Sequence, residues 1–219
     1  MTDSLFLIGD SHTVAIGQAA RRSGLAVTGG PLGAGAPLEE PFYRVVGGDF
    51  VITLPSTGPL RPLFRPLLTS PLPVLSTLGF NSHRLAGEIH AYCRSAGIQD
   101  WRQAMSGQVF EHVVLEARRT ALAFYRLLED HGREVYFTCS PQRVAPHLRE
   151  ILAASETVLI REVCKTGAVF LDHRPQTMDG PCLAARYANE ADTMHGSIEW
   201  GQAVLELFLA ERACAAAAS

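Results

Sequence analysis

Short unbroken apolar runs alternate along this chain with stretches whose apolar residues recur every three or four positions. Leu5-Phe6-Leu7-Ile8, Leu25-Ala26-Val27-Thr28, Val74 to Phe80, Glu134 to Cys139 and Ala168 to Asp172 are of the first kind. A run that is apolar on both faces suits a strand covered on both sides, as in a parallel sheet. Val14 to Gly24, His83 to Ser95, Gln108 to His131, Pro146 to Ser155 and the final segment around Ile198 to Phe208 are of the second kind and read as helices. The alternation predicts an α/β fold, a three-layer α/β/α sandwich with a central, mainly parallel sheet and right-handed crossovers. It runs as one domain over residues 1–212, with residues 213–219 as a flexible alanine-rich tail. With 47% hydrophobic residues in 219, the chain can bury such a core without disulfide or metal staples.

Two segments break the alternation. Tyr43 to Val46 and Asp49 to Thr53 flank Gly47-Gly48, a hairpin signal. Pro55 to Pro73 holds six prolines and is expected to be an irregular loop. The two read as an insertion at the sheet edge or over the site, shaping a substrate pocket, with Leu60 to Leu68 as a packed loop or a lid.

A net charge of −3 gives no basic excess, so neither nucleic acid nor an anionic membrane is the expected partner. No apolar stretch approaches the roughly 20 residues of a membrane span, and the start lacks the marks of a signal peptide. The five cysteines are widely spaced with no CxxC pair, which suggests neither a disulfide framework nor a zinc site. The expected setting is the cytoplasm.

In parallel sheets of this kind the site lies beyond the carboxyl ends of the strands. Gly9-Asp10-Ser11-His12 stands there, at a strand-to-helix turn. A serine at that turn exposes its hydroxyl, and the helix start favours negative charge beside it. It also fits a plain N-cap. Asp192-Thr193-Met194-His195 precedes the last helix, with a spacing that lets the carboxylate orient the imidazole. Gly79-Phe80-Asn81 ends the third strand, where a side-chain amide can donate to an oxyanion. The glycine loop Gly29 to Gly35 follows the second strand and allows close backbone approach.

Taken together these blocks resemble the SGNH (GDSL-like) hydrolase superfamily. Gly9-Asp10-Ser11, Gly33 (or Gly35), Gly79-Phe80-Asn81-Ser82 and Asp192-Thr193-Met194-His195 follow the family's order and placement from the first strand to the last helix. Ser82 stands where the family usually has Asp, and His12 where many relatives have Leu. The resemblance implies a flavodoxin-like sheet and a serine esterase with Ser11, Asp192 and His195 as its catalytic residues. It implies an oxyanion hole from the N–H groups of Ser11 and Gly33 and the side chain of Asn81, and no cofactor or metal. The substrate would be an O-acetyl or short-acyl ester of a carbohydrate or small metabolite. An acyltransferase would use the same groups. His12, Gly35 and Arg143 are further expected to contact substrate, Arg143 through an anionic group.

Two readings from other classes compete. Asp10, His12 and Asp49 match part of a metallophosphoesterase ligand pattern, but its contiguous Gly-Asn-His block is missing. A binding protein without activity on the same fold is the other, supported by Ser82 alone. His173, after the fifth strand, lacks the helix that anchors His195. His83, His90, His112, His131 and His147 are expected on the surface.

Overall fold

The structure, a computed structural model, describes residues 4–141, 143–192 and 194–218. Thr193 of the last sequence block, Ser219 of the tail and residues 1–3 lie outside the described residues. In chain order the elements are β1 (Ser4–Gly9), α1 (Thr13–Arg22), β2 (Ala26–Pro31), β3 (Tyr43–Val46), β4 (Asp49–Ile52), α2 (Arg61–Phe64), β5 (Val74–Ser76), α3 (His83–Ser95), α4 (Trp101–Ala104), α5 (Gly107–Ala117), α6 (Arg119–Asp130), β6 (Val135–Phe137), α7 (Arg149–Cys164), β7 (Val169–Phe170), α8 (Arg174–Thr177), β8 (Met178–Asp179), β9 (Cys182–Leu183) and α9 (Ile198–Ala218). Among the described residues, five strands form the central sheet in the order β2-β1-β5-β6-β7, every neighbouring pair parallel. This is the three-layer α/β/α sandwich that the alternation predicts.

Strand β1 explains the layers. Its side chains alternate across the sheet, and both faces are covered. Leu5 and Leu7 meet Ile16 and Ala20 of α1 and Trp200, Val204 and Phe208 of α9. Phe6 and Ile8 meet the opposite layer, which includes Phe124 and Leu128 of α6 and Leu159 of α7. A third cluster joins α3, α5 and α7 through Leu85, Ile89, Phe110, Val114 and Leu152. No helix among the described residues is long and apolar enough to cross a membrane.

Several elements differ from the sequence expectation. The stretch from Gln108 to His131 is two helices, broken at Arg118, whose backbone leaves the helical region at φ −115°, ψ 13°. Its guanidinium is buried against Glu39, so a tertiary contact interrupts an otherwise continuous apolar periodicity. Pro55 to Leu68 is a series of short helical turns rather than an irregular loop. Proline sits at the first positions of each turn, where its missing N–H costs nothing. The hairpin β3–β4 forms as expected, with Gly47 and Gly48 at φ 60° and 87°. It does not lie over the site: Phe42, Phe50, Ile52, Phe64 and Leu67 are buried in the same cluster as Phe6 and Ile8. The insertion thickens the core, and Leu60 to Leu68 is no lid. Strand β2 continues through Gly29 and Gly30 to Pro31, because at position 29 a side chain would collide with the Leu7 carbonyl of β1. The alanine-rich tail continues α9 to Ala218, as its high helix propensity favours.

Candidate active site

The turn after β1 is shaped by Asp10, whose buried carboxylate accepts from the Thr77 hydroxyl at 3.0 Å and from the His12 N–H at 3.1 Å. Thr13 closes the turn, its hydroxyl donating to the Asp10 carbonyl at 2.7 Å. Ser11 therefore leaves the sheet at the start of α1, half-buried, from a turn fastened to the end of β5.

Across from it, the segment before α9 brings in Asp192 and His195. His195 Nε2 lies 2.8 Å from Ser11 Oγ, and His195 Nδ1 lies 3.0 Å from Asp192 Oδ2. With its proton on Nδ1, the ring donates to Asp192 and accepts from Ser11. Asp192 Oδ1 accepts the N–H groups of His195 at 2.7 Å and Met194 at 2.8 Å, and Asn189 Nδ2 donates to Oδ2 at 3.2 Å. The His195 N–H first, then the Met194 N–H and the His195 ring, hold the Asp192 carboxyl down at about 2, so it is ionised at neutral pH. A carboxylate, an imidazole and a hydroxyl in this order can move a proton off Ser11.

Asn81 follows β5 and is buried. Gly35, not Gly33, stands against it: a Cβ on Gly35 would come within 2.1 Å of Asn81 Nδ2, whereas one on Gly33 would meet Ser56 Oγ at 3.0 Å. The loop turns between the two glycines, and only a residue without a side chain fits beside the amide. Of the two glycines that the sequence leaves open, Gly35 is the one that adjoins the Asn81 amide. Behind this pair lies Arg118, which the sequence reading missed. Its Nη1 donates to Glu39 Oε1 at 2.8 Å and its Nη2 to the Asn81 carbonyl at 3.4 Å. Glu39 follows the short turn that starts at Gly35, so one guanidinium ties the glycine loop to Asn81. Ser82 is buried at the start of α3, and its hydroxyl makes no cap.

Arg143 offers its Nη1 to main-chain carbonyls of the segment that carries Asp192 and His195. It donates to Asn189 at 2.8 Å, Asp192 at 2.7 Å and His195 at 3.2 Å. A charged donor satisfying three carbonyls fixes the path of that loop. His12 is only 4% exposed; its ring packs 4.8 Å from that of His195 and 6.5 Å from that of Trp200. Burial pushes its pKa down, so it stays a neutral neighbour of His195. His83 is half-buried rather than on the surface and lines a cavity with His12, Phe80, Arg143, Leu152 and Met194.

The competing residues are placed elsewhere. Asp49 sits at the tip of the hairpin, 3.4 Å from Arg65 Nε, while Asp10 is turned to Thr77. His173 is fully buried, its Nδ1 2.7 Å from Thr177 Oγ1 and its Nε2 3.2 Å from the Cys139 carbonyl.

Compared with known proteins, the chain matches no family model, and no curated protein matches it.

Proposed function

We propose that this protein is a serine esterase of the SGNH type, hydrolysing carboxylic esters of a small molecule or carbohydrate. The observation that carries the reading is the chain from Asp192 through His195 to Ser11, at 3.0 and 2.8 Å. Asn81 and Gly35 beside one another supply the second support.

In the proposed reaction His195 Nε2 takes the Ser11 proton as Oγ attacks the ester carbonyl carbon. Asp192 keeps the ring in the tautomer that can accept it and stabilises the imidazolium that forms. The oxyanion is met by the N–H groups of Ser11 and Gly35 and by the Asn81 amide. Collapse expels the alcohol, which takes its proton from His195, and leaves an acyl-enzyme. Water then attacks, giving its proton to His195; the acid departs and Ser11 recovers its hydrogen. The reading puts the enzyme in the cytoplasm, where Cys93, Cys139, Cys164, Cys182 and Cys214 stay free thiols.

Hydrolysis of p-nitrophenyl acetate and butanoate, with EDTA present, tests the reading beside Ser11→Ala. Turnover that survives EDTA and is lost in the variant, with fluorophosphonate labelling of Ser11, is the expected result. Absence of both turnover and labelling rejects it in favour of a binding role on this fold, and turnover abolished by EDTA rejects it in favour of a metal-dependent hydrolase.

A further inference from the structure

A cavity of about 200 Å³ is lined in part by residues next in the chain to the reacting groups. Three of its wall residues are their chain neighbours: His12 follows Ser11, Phe80 precedes Asn81 and Met194 precedes His195. Its further wall comes from Val144, Leu148 and Leu152, after β6 and at the start of α7. A separate depression runs along Ser11, Gln18, Asp192 and His195, and His12 is the residue that lines both.

Building on the esterase reading, we propose that the cavity is the acyl pocket and takes an acyl chain of six to eight carbons, while the alcohol departs along the depression. The argument is one of connectivity. The departing oxygen receives its proton from His195, so the alcohol lies along the space that His195 lines. The carbonyl oxygen points at Asn81, whose neighbour Phe80 forms the cavity wall, so the chain behind the carbonyl carbon runs into the cavity. Size follows from comparison: an apolar cavity of about 150 Å³ holds benzene, so at the same share of space per carbon this one holds about eight. The wall also carries His83, Arg143 and Glu156, but along its apolar part, Phe80, Val144, Leu148, Leu152 and Met194, each added methylene is rewarded by about fourfold in kcat/KM until the space is filled.

The test is a series of p-nitrophenyl esters from acetate to dodecanoate, with alkyl acetates as the second arm. For the protein as it stands, kcat/KM climbs with acyl length to a maximum at hexanoate or octanoate and then falls. Lengthening the alcohol of an acetate changes it less than threefold. Leu152→Trp lowers the octanoate-to-acetate ratio at least tenfold; if that variant does not fold, Val144→Phe is used and shifts the ratio the same way. A maximum at acetate, dependence on alcohol rather than acyl length, or a profile unmoved by the folded variant overturns the assignment. Titration of Ser11→Ala with octanoate separates the pocket from the chemistry. Octanoate binding that Leu152→Trp or Val144→Phe abolishes keeps the pocket even if no ester is turned over, in which case only the esterase reading falls. No octanoate binding overturns the pocket.

Discussion

Gly201 of α9 lies directly against Ala15 of α1: a Cβ at position 201 would come within 2.3 Å of the Ala15 carbonyl oxygen. The two helices start just after His195 and Ser11 respectively, so their contact lies close behind the imidazole and the hydroxyl. The obstruction is backbone, which cannot turn aside as a side chain would. Gly201→Ala is expected to destabilise the fold by about 1–3 kcal/mol through overpacking, and to lower esterase turnover more than stability alone explains. Gly17, inside α1, is the control, because its added Cβ would meet only the Leu7 side chain at 3.4 Å. Gly17→Ala is expected to be neutral or to stabilise by up to about 1 kcal/mol from helix propensity. Denaturant unfolding of both variants reads the difference.

The Arg118–Glu39 pair is the next point of leverage. Arg118 is 2% and Glu39 22% exposed at the side chain, so removing the cation leaves a largely buried carboxylate. Glu39 Oε2 still has Arg84 Nη1 at 3.2 Å, so its charge is not left alone, and Arg118→Met is expected to cost about 1–3 kcal/mol, the range for a buried hydrogen-bonding group that loses one partner. The double variant Arg118→Met, Glu39→Leu is expected to recover most of that loss. It is not expected to recover turnover, because the guanidinium that ties the Gly35 loop to the Asn81 carbonyl is then gone. Unfolding curves and kcat, measured on the same preparations, separate the two effects.

How much of this was legible in the sequence depends on whether the cause is local. The strand Leu5 to Ile8 ending at Gly9-Asp10-Ser11, and Asp192 with His195 before an amphipathic stretch, are local patterns, and the structure has them where the sequence puts them. The break at Arg118 is not local: no proline or glycine interrupts Gln108 to His131, and the contact made at the break is with Glu39, far along the chain. Gly35 and Gly33 are equally permissive as residues, and it takes the position of Asn81 to tell them apart. The proline count in Pro55 to Pro73 suggested irregularity because each proline was read as a breaker, whereas a proline opening a turn fits a helical start. The hairpin attracted the pocket expectation through its position between two blocks, yet its aromatic residues are those of a core. The residues that do line the cavity, such as Val144 and Leu152, read only as ordinary loop and helix members.

Arg143 acts on the site through other groups and is a positioning residue. Its three carbonyl contacts hold the segment from Asn189 to His195. Arg143→Met is expected to lower kcat by about a hundredfold, the cost of displacing a reacting group by roughly 1 Å, with KM changed far less. A merely structural role would lower the melting temperature and the amount of active protein, leaving kcat per labelled Ser11 unchanged. Active-site titration with a fluorophosphonate therefore accompanies the kinetics. Partial rescue of Arg143→Ala by added guanidinium at low millimolar concentration is the positive sign.

Asp192 gives the last prediction, and its sign can be worked out. The His195 and Met194 N–H groups and the His195 ring hold its pKa at about 2, below the ordinary value of 3.8. A carboxyl whose pKa is depressed by folding contributes stability that is fully present above the unfolded value and is lost as pH falls through the folded one. The contribution is therefore constant above about pH 4 and disappears between pH 4 and pH 2. Asp192→Asn removes it, so the difference in unfolding free energy between the two proteins should grow from pH 2 to pH 4 and then stay level. The same variant presents an amide to His195 Nδ1, which favours the tautomer that cannot accept the Ser11 proton. Turnover at neutral pH should fall by about 10⁴ while stability there changes little by comparison. Because Asp192 is already ionised above pH 4, the acid limb of the activity profile above that pH reports other groups. An activity limb that moves with Asp192→Glu but leaves the unfolding difference flat would show that the carboxylate does not hold the position assigned to it.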